Sequence, residues 1–193
     1  MDEVGVVVAI INALNSAGIP FMLVGSLSSN AYGIPRSTKD ADLVIQLGNF
    51  PLGKLMSFLP REFRLEPQIG FETITSTTRS RVYYDRLPNP FTIELFDLSD
   101  DSHDQLRFSN RRETSWGGAR AYIPRAEDVV ITKLRWALAG KSREKDIEDA
   151  KNVLAVQKGK LDLEYIRCWC DTHGSLQLLD QLIEMVGNVP NAS

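Results

Sequence analysis

The sequence predicts an α/β (α+β) fold: a mixed β-sheet with flanking helices, followed by a helical C-terminal half. Three observations carry this. Helical periodicity opens the chain over residues 4–17. Short apolar runs rich in Val, Ile, Thr, Tyr and Phe then recur up to residue 123, with turn residues between them. After Pro124 the spacing is helical throughout. The implied division is an α/β core over residues 1–124 and a helical subdomain over 125–193 packed on it.

Val7, Ile10, Ile11 and Leu14 recur at helical spacing and stop at Gly18, a C-cap residue type. Phe21–Val24 reads as a short strand, and Ser26 stands where it stops. "LSSNAYG" is a helical turn that Pro35 prevents from continuing. Residues 42–47 form a second strand and "NFPLGKLMSFL" a helix. "FETITSTTRSRVYYDRLPNPFTIELFDL" holds two or three β runs around a Pro-Asn-Pro turn, and "ETSWGGARAYIP" a hairpin closed by Gly117-Gly118. Four helical segments follow: "RAEDVVITKLRWALAG", "SREKDIEDAKNVLAV", "LDLEYIRCWCDTHG" and "LQLLDQLIEMVG", the second capped by Ser142.

Composition excludes several classes. Hydrophobic residues make up 43% and charged residues 24%, which rules out disordered or fibrous chains. Acids precede the first apolar run where a secretory signal carries bases, and no apolar stretch approaches the ~20 residues of a membrane span. A cytoplasmic protein with no membrane partner is expected. Cys168 and Cys170, two apart on a helix, point to different faces and do not pair. His103 and His173 lie in no Cys/His cluster of zinc spacing. The net charge is -3, yet residues 107–146 hold ten Lys/Arg against five Asp/Glu, leaving +5 there and -8 elsewhere. That segment is either a surface for a polyanion or a solvated helix face.

The chemistry concentrates at residues 21–47. Residues two apart on a strand face one side, so Asp40 and Asp42 present two carboxylates to one point. Like charges held together call for a cation, and hard oxygen donors suit Mg²⁺ or Mn²⁺, which also bind substrate phosphates. Gly25 lets the backbone approach a phosphate, while Ser26 and the helix N-terminus supply donors and positive dipole. Each half alone has an ordinary alternative. Gly-Ser before a helix is commonly an N-cap, and D-x-D at a strand end is commonly a solvated edge.

Together, Gly25-Ser26 and Asp40-Ala41-Asp42-Leu43, with thirteen residues between them, resemble the first motif of the DNA polymerase β-like nucleotidyltransferase superfamily. "PRSTKDADL", "IELFDL", "IPRAEDVVITKLRWAL" and "SREKDIEDAKNVL" are similar to bacterial AbiEii-type (abortive infection) nucleotidyltransferases, a group that includes toxins of toxin–antitoxin pairs. The likeness covers about residues 20–170. It implies a polymerase β-like fold and a third metal carboxylate at Glu94, where Asp is the usual residue. Asp97, three positions on, faces the opposite way. Glu94 is otherwise a charged residue on an exposed face.

The E-D-x-x-x-x-K pattern implies that Lys133 meets the nucleotide phosphates, although a lysine there also snorkels from a core edge. Asp146, ahead of Asp149, matches the family's D-x-x-D segment, and an acid in a first helical turn is equally favoured by the dipole. Arg36 is a phosphate contact or surface charge. The resemblance implies transfer of a nucleoside monophosphate from an NTP, with two cations ~3.5–4 Å apart held by Asp40, Asp42 and Glu94. Glu94 would accept the acceptor's proton. A tRNA 3′ end or a protein hydroxyl would be the acceptor, and a cognate antitoxin a partner. A small-molecule acceptor such as an antibiotic, or a non-catalytic nucleotide-binding or antitoxin-like protein, are the alternatives.

Overall fold

A computed structural model describes residues 1–87, 91–140 and 143–187. The expected Pro-Asn-Pro turn at 88–90 and the Ser142 cap lie outside the described residues. The chain divides into two compact units, residues 1–27 with 37–124, and residues 28–36 with 125–193.

In the first unit, α1 (Glu3–Ala17) is capped by the Asp2 carboxylate, which accepts from the Gly5 N–H at 2.8 Å, and it ends at Gly18 in the left-handed conformation. It buries Val6, Val7, Ile10, Ile11, Ala13 and Leu14. Strand β1 (Phe21–Val24) is buried throughout and leads into α2 (Gly25–Tyr32), which starts two residues before the expected turn. Strand β2 (Asp40–Ile45) includes both acids. The helix expected over residues 49–59 is only α3 (Leu52–Leu55) and a 3-10 turn at Met56–Phe58. Proline at its N-cap, proline at position 60 and a single fully buried residue, Leu55, leave too little apolar stripe to extend it.

Strands β3 (Phe63–Leu65), β4 (Gly70–Glu72), β5 (Thr77–Tyr84) and β6 (Thr92–Asp97) follow. Periodicity passes over α4 (Ser102–Ser109), because it buries mainly polar side chains. Among these, Asp104 accepts from Arg107 at 2.7 Å and from the Ser99 hydroxyl at 2.6 Å. The hairpin of β7 (Arg112–Trp116) and β8 (Ala119–Ile123) turns at Gly117-Gly118, both at positive φ, as expected.

The main sheet runs β1-β2-β6-β5-β3, with β4 also on β5. β2 and β6 are parallel and the other pairs antiparallel. Registers pair Val24 with Asp42, Asp42 with Glu94, and Glu94 with Arg81. On one face, alternation places Leu23, Leu43, Ile45, Ile93 and Leu95, all buried. The other face carries Met22, Val44 and Phe96, which gather with Phe108 and Tyr122. Further along that same face stand Asp40, Asp42 and Glu94.

The second unit contains α5 (Ala126–Ala139), α6 (Arg143–Val156), α7 (Leu163–Thr172) and α8 (Leu176–Gly187). Its core joins Val130, Ile131, Leu134, Val153, Ile166, Cys170, Leu179 and Leu182, with Tyr32 of α2 against it. Residues 28–36 therefore group with the helices and not with the rest of the expected 1–124 core. Polar contacts agree: Gln157 Nε2 donates to the Tyr32 carbonyl at 2.9 Å, and Arg36 pairs with Asp149. Cys168 is exposed and Cys170 buried, and both are free thiols.

Candidate active site

Gly25, the first residue of α2, has φ +59°, a conformation that disfavours a side chain. The Val24–Asp42 register brings the Asp42 carboxylate beneath it, and a Cβ at Gly25 would overlap Asp42 Oδ2. A strand end, a side-chain-free turn and a carboxylate thus occupy one place. Ser26 follows, almost fully buried. Asp40, two residues before Asp42 and on its face, is exposed and accepts from the Thr38 hydroxyl at 2.7 Å. Of these four residues, all in the first unit, Gly25 and Asp42 are in contact, Ser26 follows Gly25 in the chain, and Asp40 shares the strand face of Asp42.

Glu94 shares their face but its carboxylate is engaged elsewhere. Oε1 lies 2.8 Å from Arg81 Nε, and Oε2 lies 3.4 Å from Arg79 Nη1. The Glu94 hydrogen bond holds the Arg81 guanidinium above its ordinary value. Among the described residues no group of three or more His, Cys, Asp or Glu side chains is placed to hold a metal ion. Two hard carboxylates, Asp40 and Asp42, fit a divalent cation by donor chemistry. Glu94, between two guanidiniums, is not grouped with them. Asp97 faces away, as expected, and accepts from the Thr78 hydroxyl.

Arg36, Lys133, Asp146 and Asp149 meet within the second unit. Lys133, buried on α5, lies 2.9 Å from Asp146 Oδ1 and 2.8 Å from Asp149 Oδ2. Arg36 closes a two-pronged pair on Asp149, Nε to Oδ1 at 2.8 Å and Nη2 to Oδ2 at 2.9 Å. The Ser29 hydroxyl adds a bond to Oδ2 at 3.2 Å. Burial pushes the Lys133 ammonium down, but the Asp146 and Asp149 carboxylates outweigh it and its pKa stands above the ordinary value. Burial likewise pushes Asp149 up, and the Arg36 and Lys133 bonds bring it below the usual carboxylate value. Asp149, ranked behind Asp146 in the sequence, is the hub of the cluster.

Ser29, Arg79 and Arg81 also belong to these clusters, beyond the residues that the sequence motifs mark. The arginines had a signal: in "TTRSRVYY" they alternate, so period two puts both on one strand face. Their partner on the neighbouring strand had none.

No family model matches the sequence, and no curated protein matches it significantly. Solved structures do resemble it. An antigenic nucleotidyltransferase-like protein from Paracoccidioides brasiliensis superposes with a TM-score of 0.61 at 16% identity, over 95% of this chain and 93% of that one. ANT(2'')-Ia, solved in complex with adenylyl-2''-tobramycin, gives 0.60 at 13% identity over 90% and 97%. JHP933 from Helicobacter pylori gives 0.50 at 16% identity over 96% and 93%. At these identities the likeness establishes the fold: a mixed α/β architecture of nucleotidyltransferase type. No helix among the described residues is long and apolar enough to cross a membrane.

Proposed function

We propose that this chain is a divalent-cation-dependent nucleotidyltransferase that moves a nucleoside monophosphate from an NTP to an acceptor hydroxyl. Beyond the fold, one observation supports the reading most: the Asp42 carboxylate lies where a side chain at Gly25 would be, with Asp40 on the same strand face. The bare turn leaves backbone open to a phosphate, and the Ser26 hydroxyl and first N–H groups of α2 supply donors for the triphosphate. Asp40 and Asp42 are the residues that would hold Mg²⁺ or Mn²⁺. A bound cation would screen the phosphates and polarise the α-phosphate. In the reaction the acceptor oxygen forms a bond to the α-phosphorus, the bond to the bridging oxygen breaks, and pyrophosphate leaves with its electron pair. The proton of the acceptor hydroxyl passes to solvent water.

The sequence resemblance supports a toxin-like role with an RNA 3′ end or protein as acceptor, and the excess of positive charge over residues 107–146 agrees with a polyanion. A small-molecule acceptor is the second reading, favoured by the fold neighbour solved with adenylyl-2''-tobramycin. Transfer from each α-labelled NTP with Mg²⁺, offering total RNA, cell protein and an aminoglycoside, tests all three. Label should enter one class with wild type, and Asp42→Asn should lose at least about 10³-fold of it, the several kcal/mol that a bound cation contributes. Undiminished transfer by Asp42→Asn overturns the proposal. NTP binding without transfer would put the non-catalytic alternative in its place.

A further inference from the structure

Across the sheet, Val24 at the end of β1, Asp42 on β2, Glu94 on β6 and Arg81 on β5 stand in one row, and Gly25 follows Val24 directly. Arg79, one step along the same face of β5, also reaches Glu94. Its guanidinium lies over Gly70 of β4, where a Cβ would come within 3.1 Å of it. The arginines are 30% and 36% exposed and Glu94 only 17%. Arg81 Nη1 is 3.8 Å from Glu66.

We propose that Glu94 is a positioning residue that holds Arg79 and Arg81, not a third cation ligand, and that the two guanidiniums form a subsite for a phosphate group on the acceptor. Both Glu94 oxygens already face permanently charged nitrogens, so a divalent cation brought to Glu94 would meet two positive charges. Glu94 and, at longer range, Glu66 engage only some of the N–H groups of the two guanidiniums, and the remaining N–H donors are of the kind that receives phosphate.

The side of the reaction follows from the strand order, and here the inference rests on the nucleotidyltransferase reading. In-line displacement puts the entering and leaving oxygens on opposite sides of the phosphorus. With the triphosphate held at Gly25-Ser26 on the β1 flank, the acceptor enters over the β6–β5 flank, where Arg81 and Arg79 stand. A phosphate-bearing acceptor is attracted there.

The test uses the full chain with Mn²⁺, a labelled short oligoribonucleotide with a free 3′ hydroxyl, and inorganic pyrophosphate. Glu94→Gln should leave the number of bound Mn²⁺ and their affinity unchanged, read by calorimetry, while Asp42→Asn loses Mn²⁺. Arg81→Gln and Arg79→Gln should each weaken oligoribonucleotide binding about tenfold, the loss of one charge-assisted contact, with Arg81→Lys recovering part of it. Pyrophosphate affinity should not change. Glu94→Gln should raise KM for the acceptor more than it lowers kcat. A Mn²⁺ lost with Glu94→Gln makes Glu94 a ligand and overturns the inference. So does Mn²⁺ affinity that tightens in Arg81→Gln, because a freed Glu94 would then be binding it. Unchanged oligoribonucleotide binding in both arginine variants, or none in wild type, or a loss confined to pyrophosphate, removes the acceptor subsite. Mn²⁺ binding that survives Asp42→Asn strikes the underlying reading instead.

Discussion

Each unit of the molecule carries a pair of aspartates, and the two pairs have opposite surroundings. In the first, Asp40 and Asp42 sit at strand spacing: one exposed and bonded to a neutral threonine hydroxyl, the other lodged under a glycine. In the second, Asp146 and Asp149 sit at helical spacing on α6, bonded to Lys133 and, for Asp149, to both prongs of Arg36. The chain supplies the second pair with its own counter-charges. Carboxylates matched by resident cations hold a fold together, whereas an exposed carboxylate bonded to a neutral hydroxyl, as Asp40 is, is open to a cation from solution. Spacing alone does not separate the two cases, since D-x-D and D-x-x-D each put both acids on one side of their element.

Asp149→Ala makes the largest break in this comparison. It removes the carboxylate that two cations share in a nearly closed site, where Asp149 is 4% exposed, and should lower stability by about 3 kcal/mol. Urea unfolding reads this directly, and Asp42→Asn measured beside it should leave the midpoint close to wild type. A midpoint unmoved by Asp149→Ala would show that the paired cluster is not what holds residues 28–36 to the helices.

A smaller effect of the same network appears in acid. Asp149 titrates below its ordinary 3.8 in the folded chain, so its contribution is complete above that value and is lost as pH falls through the lower folded one. Lys133 stands above its ordinary 10.5, so its contribution is complete below that and is lost as pH rises through the higher folded value. Between the two the network contributes evenly. The urea midpoint of wild type should therefore drop below about pH 4, and Asp149→Asn should start lower and show a flatter acid limb. An acid limb of equal depth in both would place the titrating groups elsewhere.

How much of this the sequence announces depends on the range of the interaction. The α1 stop at Gly18, the Gly117-Gly118 hairpin and the one-sided Asp40 and Asp42 are local, set by neighbours within a few residues, and they are legible. Glu94 was legible as a carboxylate on the right face but not as the partner of Arg81. That pairing comes from the β5–β6 register, and a slip of one residue would turn every side chain to the other face. Residues 28–36 fall within the expected α/β half because their anchors, Asp149 and Gln157, lie more than a hundred residues away. Helix α4 escaped notice for a different reason: the polar side chains it buries satisfy one another, so no apolar stripe marks it.

Gly25→Ala is the mildest change to the fold and the sharpest probe of the first pair. A side chain in the left-handed region costs about 1–2 kcal/mol, less than the loss expected at Asp149. Its Cβ would also need the space that Asp42 Oδ2 fills, so the carboxylate must move even though its chemistry is intact. Mn²⁺ affinity, read by calorimetry, should fall by more than the stability loss accounts for, with the protein still folded. Unchanged Mn²⁺ affinity in a folded Gly25→Ala protein would mean that the cation meets Asp42 from a direction the turn does not control, and the bare glycine would then serve the backbone bend alone.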